Sequence, residues 1–250
     1  MVFFYLSKPL RLVAAKDLRT FLRDPLQWSQ LLILFGLLIL YLWNMPTMRI
    51  DFSGSEWSLA IPFLNLCAVS LILATFTCRF VFPLVSLEGR QLWLIGVLPL
   101  NRGRVLIAKF AFAMTVTVLV AVGAMTFGSI MLGMHPVWAA THIAATVSIC
   151  FGLCGFAVGI GARLPMFGQS NAARIANGVG GTVNLLASVA LVGAVLVGIG
   201  MATYRSQGSG EVHPPDLVAW MWIAASLAFG VIAGWTAMMV GARHFRRVEV

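Results

Sequence analysis

With 60% hydrophobic and 10% charged residues over 250 positions, and a mean hydropathy of +0.94, this chain cannot be a soluble monomer. It reads as an integral membrane protein. The net charge of +9 and the pI of 10.3 invite a nucleic-acid reading, but the basic residues are spread over several loops and tails and form no single basic face, so that class is set aside.

The first residues, MVFFYLSKPLRL, have no charge ahead of their apolar patch and no cleavage site, so they are not read as a signal peptide. From Ser7 to Arg23 a helical wheel gathers Leu10, Val13, Ala14, Leu18 and Phe21 on one side, with Lys8, Lys16, Arg19 and Arg23 opposite. Asp17 falls inside the apolar sector, where it does not belong. The pattern predicts an amphipathic elbow over 1–25 that lies in the membrane interface, with a plain extension of the first span as the alternative.

Six apolar runs without Lys, Arg, Asp or Glu follow: Leu26 to Trp43, Trp57 to Cys78, Phe110 to Leu132, Val137 to Gly161, Val179 to Thr203 and Leu217 to Gly241. Each approaches or exceeds the roughly 20 residues that a spanning helix needs. Their continuous apolarity excludes a barrel, so the expected fold class is an all-α integral membrane protein, one domain of six transmembrane helices. With the N-terminus in the cytoplasm, Arg49 and Arg205 alone among the basic residues fall outside, which predicts cytoplasmic termini.

Between the second and third runs lies Phe80 to Lys109, FVFPLVSLEGRQLWLIGVLPLNRGRVLIAK, too broken to span and too apolar to be a solvated linker. Its apolar residues form no single face. Pro83 is expected to kink the end of the second span and Gly89 to allow a turn, while Pro99 and Asn101 open the third helix. Glu88 and Arg90 are candidates for polar contacts with whatever covers this short cytoplasmic segment, or simply solvate it.

The remaining chemistry is sparse. Cys67, Cys78, Cys150 and Cys154 lie in predicted spans; Cys150 and Cys154 sit one turn apart, but buried apolar roles are favoured and no disulfide or metal site is expected. Of the four histidines only His142 lies well inside a span, and no carboxylate does, which argues against an intramembrane enzyme and against proton or sodium coupling. Asn65, Asn184, Thr75, Thr115, Thr126 and Ser148 are expected to bond between helices or to the preceding turn. Gly155 and Gly159 form a GxxxG, and Ala190, Ala194 and Gly198 repeat at the same spacing; both are compatible with a dimer through the fourth or fifth span.

Four stretches carry a family resemblance: KDLRTFLRDPLQWSQLLILFGLLILYLWN from Lys16, FPLVSLEGRQLW from Phe82, LPLNRGRVLIAKF from Leu98 and GGTVNLLAS from Gly180. Together they resemble the permease subunit of bacterial ABC-2-type exporters, over most of the chain, and in particular the second membrane half of longer permeases. The resemblance implies a half-size subunit, or part of a longer protein, in the bacterial inner membrane. It implies that Pro83, Glu88, Gly89 and Arg90 form an ATPase-coupling segment, and that the partners are cytoplasmic ABC ATPase subunits and a second permease half, a copy or a different chain. No cofactor is expected on this chain, because the sequence has no Gly-Lys pair for a phosphate loop and ATP is then bound by a partner. The expected function is that of an ATP-driven export permease without catalytic residues of its own, the alternative being a non-transporting scaffold or assembly subunit.

Overall fold

The structure is a computed structural model, and it describes residues 8–51, 60–89, 102–169, 171–206 and 214–245. Among these residues every regular element is helical. In chain order they are α1 (Lys8–Arg23), α2 (Pro25–Asp51), α3 (Ala60–Phe76), a π-helical turn (Thr77–Val81), α4 (Pro83–Ser86), α5 (Arg102–Met131), α6 (Pro136–Arg163), α7 (Ala172–Ala176), α8 (Val179–Ser206) and α9 (Leu217–Phe245). Six of these stretches are long and apolar enough to cross a membrane. The protein is therefore a multi-pass membrane protein.

The apolar runs understate the helices. The second span continues from Ala60 to Ser86 and the third begins at Gly103, so both carry the chain well beyond its charge-free part. Phe80 to Leu87, expected to lie outside the membrane helices, instead prolongs the second: Phe80, Val81, Phe82, Leu84 and Val85 are all buried. The cause is local. Pro83 has no N–H to give and its ring would crowd the carbonyl one turn back. The chain widens to a π turn just ahead of it, closed by Phe82 N–H to Thr77 O at 2.9 Å, and Pro83 then opens α4. Lys109 likewise falls inside α5 rather than before it, which corrects the expectation that no span holds a charge.

The centre of the bundle is α6, with α5 on one side and α8 and α9 on the other. Among the described residues its contact with α9 is the most extensive, and it is made by glycines. A methyl group on Gly155 would overlap the carbonyl of Gly234, one on Gly159 that of Ala237, and one on Gly241 that of Gly159. The GxxxG therefore joins two spans of one chain. Ser148 adds a hydrogen bond across the same interface, to Leu227 O at 2.7 Å. Thr75 and Thr115 bond to the preceding turn, to Leu71 O and Ala111 O. Asn65 takes a hydrogen bond from the Tyr41 hydroxyl at 3.0 Å and so ties α2 to α3.

The α5–α6 connection is a Schellman close. Gly133, at φ 63°, lets Met134 N–H reach Ser129 O at 3.1 Å and Gly133 N–H reach Ile130 O, and His135 then caps α6 ahead of Pro136. At the same end of the bundle Asp216 caps α9 through Ala219 N–H at 2.7 Å and pairs with Arg205 of α8 at 3.0 Å.

The elbow helix α1 forms and ends before α2, but its apolar face is occupied by protein. Ala14 is fully buried, Leu18 and Phe21 pack on the same cluster, and the Phe21 ring meets Phe80 edge-on at 5.9 Å.

Candidate functional site

At the α1 end of the bundle four charged side chains from three elements converge. The Lys109 ammonium, on α5, donates to Glu88 Oε1 at 2.8 Å, to Asp17 Oδ2 of α1 at 3.1 Å and to the Leu84 carbonyl of α4 at 3.0 Å. Those three bonds use all three of its protons. Lys16 closes the network from the outside through its own bond to Glu88. The side chains of Lys109, Asp17 and Glu88 are 3%, 5% and 6% exposed, while that of Lys16 is 45% exposed, so three charges are buried and one faces out.

This cluster accounts for Asp17. A carboxylate in the middle of an apolar helix face is costly unless it is paired. Here the face packs on α5 at the point where Lys109 emerges. Two carboxylates and two ammonium groups balance, and the Leu84 carbonyl takes the remaining proton at the C-terminal end of a short helix, where a cation is favoured.

The two carboxyls are held differently. Burial pushes the Asp17 carboxyl up, and the nearby Glu88 charge adds to it; Lys109 and Lys16 only partly offset this. Burial also acts on Glu88, but the charges and hydrogen bonds of Lys109 and Lys16 outweigh it and hold that carboxyl below its ordinary value. As the pH falls, the folded protein therefore binds a proton at Asp17 before the unfolded chain would, which favours the fold in that window. The contribution of Glu88 is complete above the ordinary glutamate range and is lost only as the pH falls through its lower folded value. In infrared titration, the protonated-carboxyl band abolished by Asp17→Asn should grow in at higher pH than the band abolished by Glu88→Gln. The reverse order would show that Lys109 serves Asp17 first.

The corner that carries Glu88 is also fixed from the other side. Ser86 Oγ accepts from Met166 N–H at 3.1 Å, in the segment after α6. A methyl group on Gly89 would overlap the Phe167 carbonyl, so only glycine fits as the chain leaves α4. Of the residues expected to form the coupling segment, Pro83 starts α4, Glu88 lies in the ion cluster and Gly89 passes under Phe167. Arg90 lies outside the described residues. Glu88 was expected either to make polar contacts with whatever covers this segment or simply to solvate it; its contacts are with α1 and α5 of its own chain. Sequence reasoning missed Lys16, Asp17, Lys109 and Ser86, although the misfit of Asp17 on the wheel was a signal for a buried cation.

The rest of the interior offers less. All four cysteines are free, and Cys154 Sγ bonds to Thr117 Oγ1 at 3.5 Å. Among the described residues no three of His, Cys, Asp and Glu gather as a metal site would require.

Compared with known proteins, the whole chain, residues 1–250, matches one family, described as "Putative ATP-binding cassette". The chain belongs to that family. Neither a curated protein nor a solved structure matches it. This membership replaces the exporter-permease identification expected from the sequence. The family is described by a nucleotide-binding cassette, and the description names no permease.

The cassette description implies ATP, and the residues present can be tested for it. A phosphate loop places glycine backbone and one lysine around the phosphates, between a strand and a helix. The one glycine-rich turn that opens a long helix among the described residues, Gly178 to Gly181 at the start of α8, is filled by its own chain. A methyl group on Gly180 would meet Phe82 and Leu164, and one on Gly181 would overlap the Ala176 carbonyl. Lys16 and Lys109 are both committed to carboxylates, and no lysine of the sequence follows a glycine. The described residues do not fit a nucleoside triphosphate.

Proposed function

We propose that this chain is the membrane-embedded member of an ATP-binding-cassette assembly whose ATP is bound and hydrolysed by a separate cytoplasmic chain. The ion cluster, on this proposal, links the segment that meets that chain to the helices in the membrane. The observation that carries it is the set of three bonds from Lys109. They tie α1, the α4 corner and α5 into one rigid junction immediately before Gly89. A push on the corner is then transmitted to two helices at once. The filled glycine turn at the start of α8 supports placing the nucleotide elsewhere. The surplus of basic residues at this end supports a cytoplasmic location for it, in a bacterial inner membrane. A second membrane half, a copy or another chain, completes the assembly.

The test is photoaffinity labelling with azido-ATP of the assembly drawn from membranes by a tag on the full chain. Label on a co-purifying soluble chain, and none on this one, is the expected result; label on this chain overturns the proposal. In the same preparation Glu88→Gln should lower ATP turnover about tenfold, as loss of a charge-assisted bond of about 1.4 kcal/mol would, with the recovered amount of the ATPase chain unchanged. Turnover that merely follows the amount recovered would reduce the cluster to a structural brace.

A further inference from the structure

Two polar side chains of α8 are buried with nothing to bond to. Asn184 and Ser188 are fully covered, and neither polar atom of the Asn184 amide nor the Ser188 hydroxyl has a hydrogen-bond partner. The hydroxyl stands out, because every other buried serine and threonine among the described residues makes a hydrogen bond, most of them to the carbonyl one turn back. Polar atoms left dry inside a membrane span are costly, since neither lipid nor a finished helix backbone satisfies them.

Their spacing and surroundings point to what satisfies them. Residues one turn apart on a helix share a face with Cβ atoms about 5 to 6 Å apart, twice the length of a hydrogen bond, so a single water bridges side chains set like these. Asn184 supplies a donor and an acceptor and Ser188 supplies either, which makes up the bonds that a buried water forms. The neighbour is short as well: Cys78, in the π turn of the second span, lies beside the Asn184 amide but gives its proton to Gly181 O at 3.4 Å. A metal ion is disfavoured, because the pair holds no carboxylate and the Arg79 cation acts on the same Cys78. Asn184 also lies only about 8 Å along α8 from Val179, where the helix begins, so water has a short way to come.

We infer that Asn184 and Ser188 form an internal hydration site, with one water held between α8 and the π turn. The water keeps the joint at that turn adaptable. A bond to water can be re-aimed as the second span tilts, where a bond between two fixed side chains would have to break. The site stands apart from the proposed ATPase contact, and either can fail alone.

X-ray radiolysis of the full chain in vesicles prepared in oxygen-18 water tests it. Hydroxyl radicals formed from an ordered water attack the side chain beside it, even where bulk reagents do not reach. Cys78 should take up labelled oxygen at early dose while Cys150, fully buried on α6, does not, and N-ethylmaleimide should leave Cys78 unmodified before irradiation. Ser188→Ala, which removes a single oxygen, should reduce the Cys78 label, and Asn184→Leu combined with Ser188→Ala should abolish it with the helix signal retained. Cys78 labelled no faster than Cys150, or a label indifferent to Ser188→Ala, would overturn the inference and leave the amide and hydroxyl dry. Maleimide reaction at Cys78 would overturn it as well, by showing an open cleft in place of a held water.

Discussion

Lys109→Met should destabilise the protein by about 3 to 5 kcal/mol, the cost of breaking a buried ion pair from one side. Methionine matches the lysine stem in volume, so the loss comes from charge and not from a cavity. Asp17 and Glu88 would keep their burial but lose the buried cation between them, and the Leu84 carbonyl would lose its donor. Lys16 cannot replace it, since its side chain is 45% exposed and its bonds are screened by water. Lys16→Met should accordingly cost about 1 kcal/mol or less. Denaturation in mild detergent, read by the retained helix signal at increasing dodecyl sulfate, measures both. The decisive arm is Lys109→Met combined with Asp17→Leu and Glu88→Gln. With no uncompensated buried charge left, and Lys16 facing water, most of the stability should return, so the triple variant should lie nearer the wild type than Lys109→Met alone does. If the triple variant is the least stable of the set, the cluster contributes net stability that no apolar replacement supplies.

The same cluster marks how far the sequence could be read. Span number and order were legible, because continuous apolar runs of this length have one solution in lipid. Where each helix stops was not, since a charge-free rule ends a span at its first lysine. Lys109 is paired on three sides within α5, and such pairing is what lets a charge enter a membrane helix. Phe80 to Leu87 was misjudged for a related reason. Pro83 reads as a kink at the end of the second span, and a π turn placed just before it carries the helix on to Ser86, past the last charge-free residue.

Site residues divide along the same line. Pro83, Glu88 and Gly89 are visible as punctuation and charge in a short stretch, whereas their partners Asp17, Lys109, Met166 and Phe167 come from two other helices and a distant loop. No local pattern encodes that meeting. The one trace was Asp17 on the apolar face of α1, because a carboxylate buried there requires a buried cation on grounds of charge balance alone. With only three lysines in the chain, two of them outside the described spans, Lys109 was within reach of that argument.

Gly155→Leu should be as damaging as Lys109→Met, for a steric reason. The Gly155 Cα lies so close to the Gly234 carbonyl that even a methyl group overlaps backbone, and backbone on a helix in a packed bundle cannot step aside as a side chain can. α6 and α9 must separate, and every contact along them, including Ser148 to Leu227 O, lengthens together. In lipid this loss is not softened by a hydrophobic drive between helices, because tails wet the exposed faces as well as another helix does. A cost of about 3 kcal/mol is expected, at the upper end for overpacking, and it should appear in dodecyl sulfate denaturation as an earlier loss of helix. Gly193→Leu on α8 is the control: nothing lies within 4 Å of the added carbon, so stability should hold or rise slightly with helix propensity. The pair also separates two uses of a GxxxG. A motif joining two copies of the chain would lose its dimer and keep its monomer fold when Gly155 is enlarged. One joining α6 to α9 must lose the fold itself, and at any protein concentration.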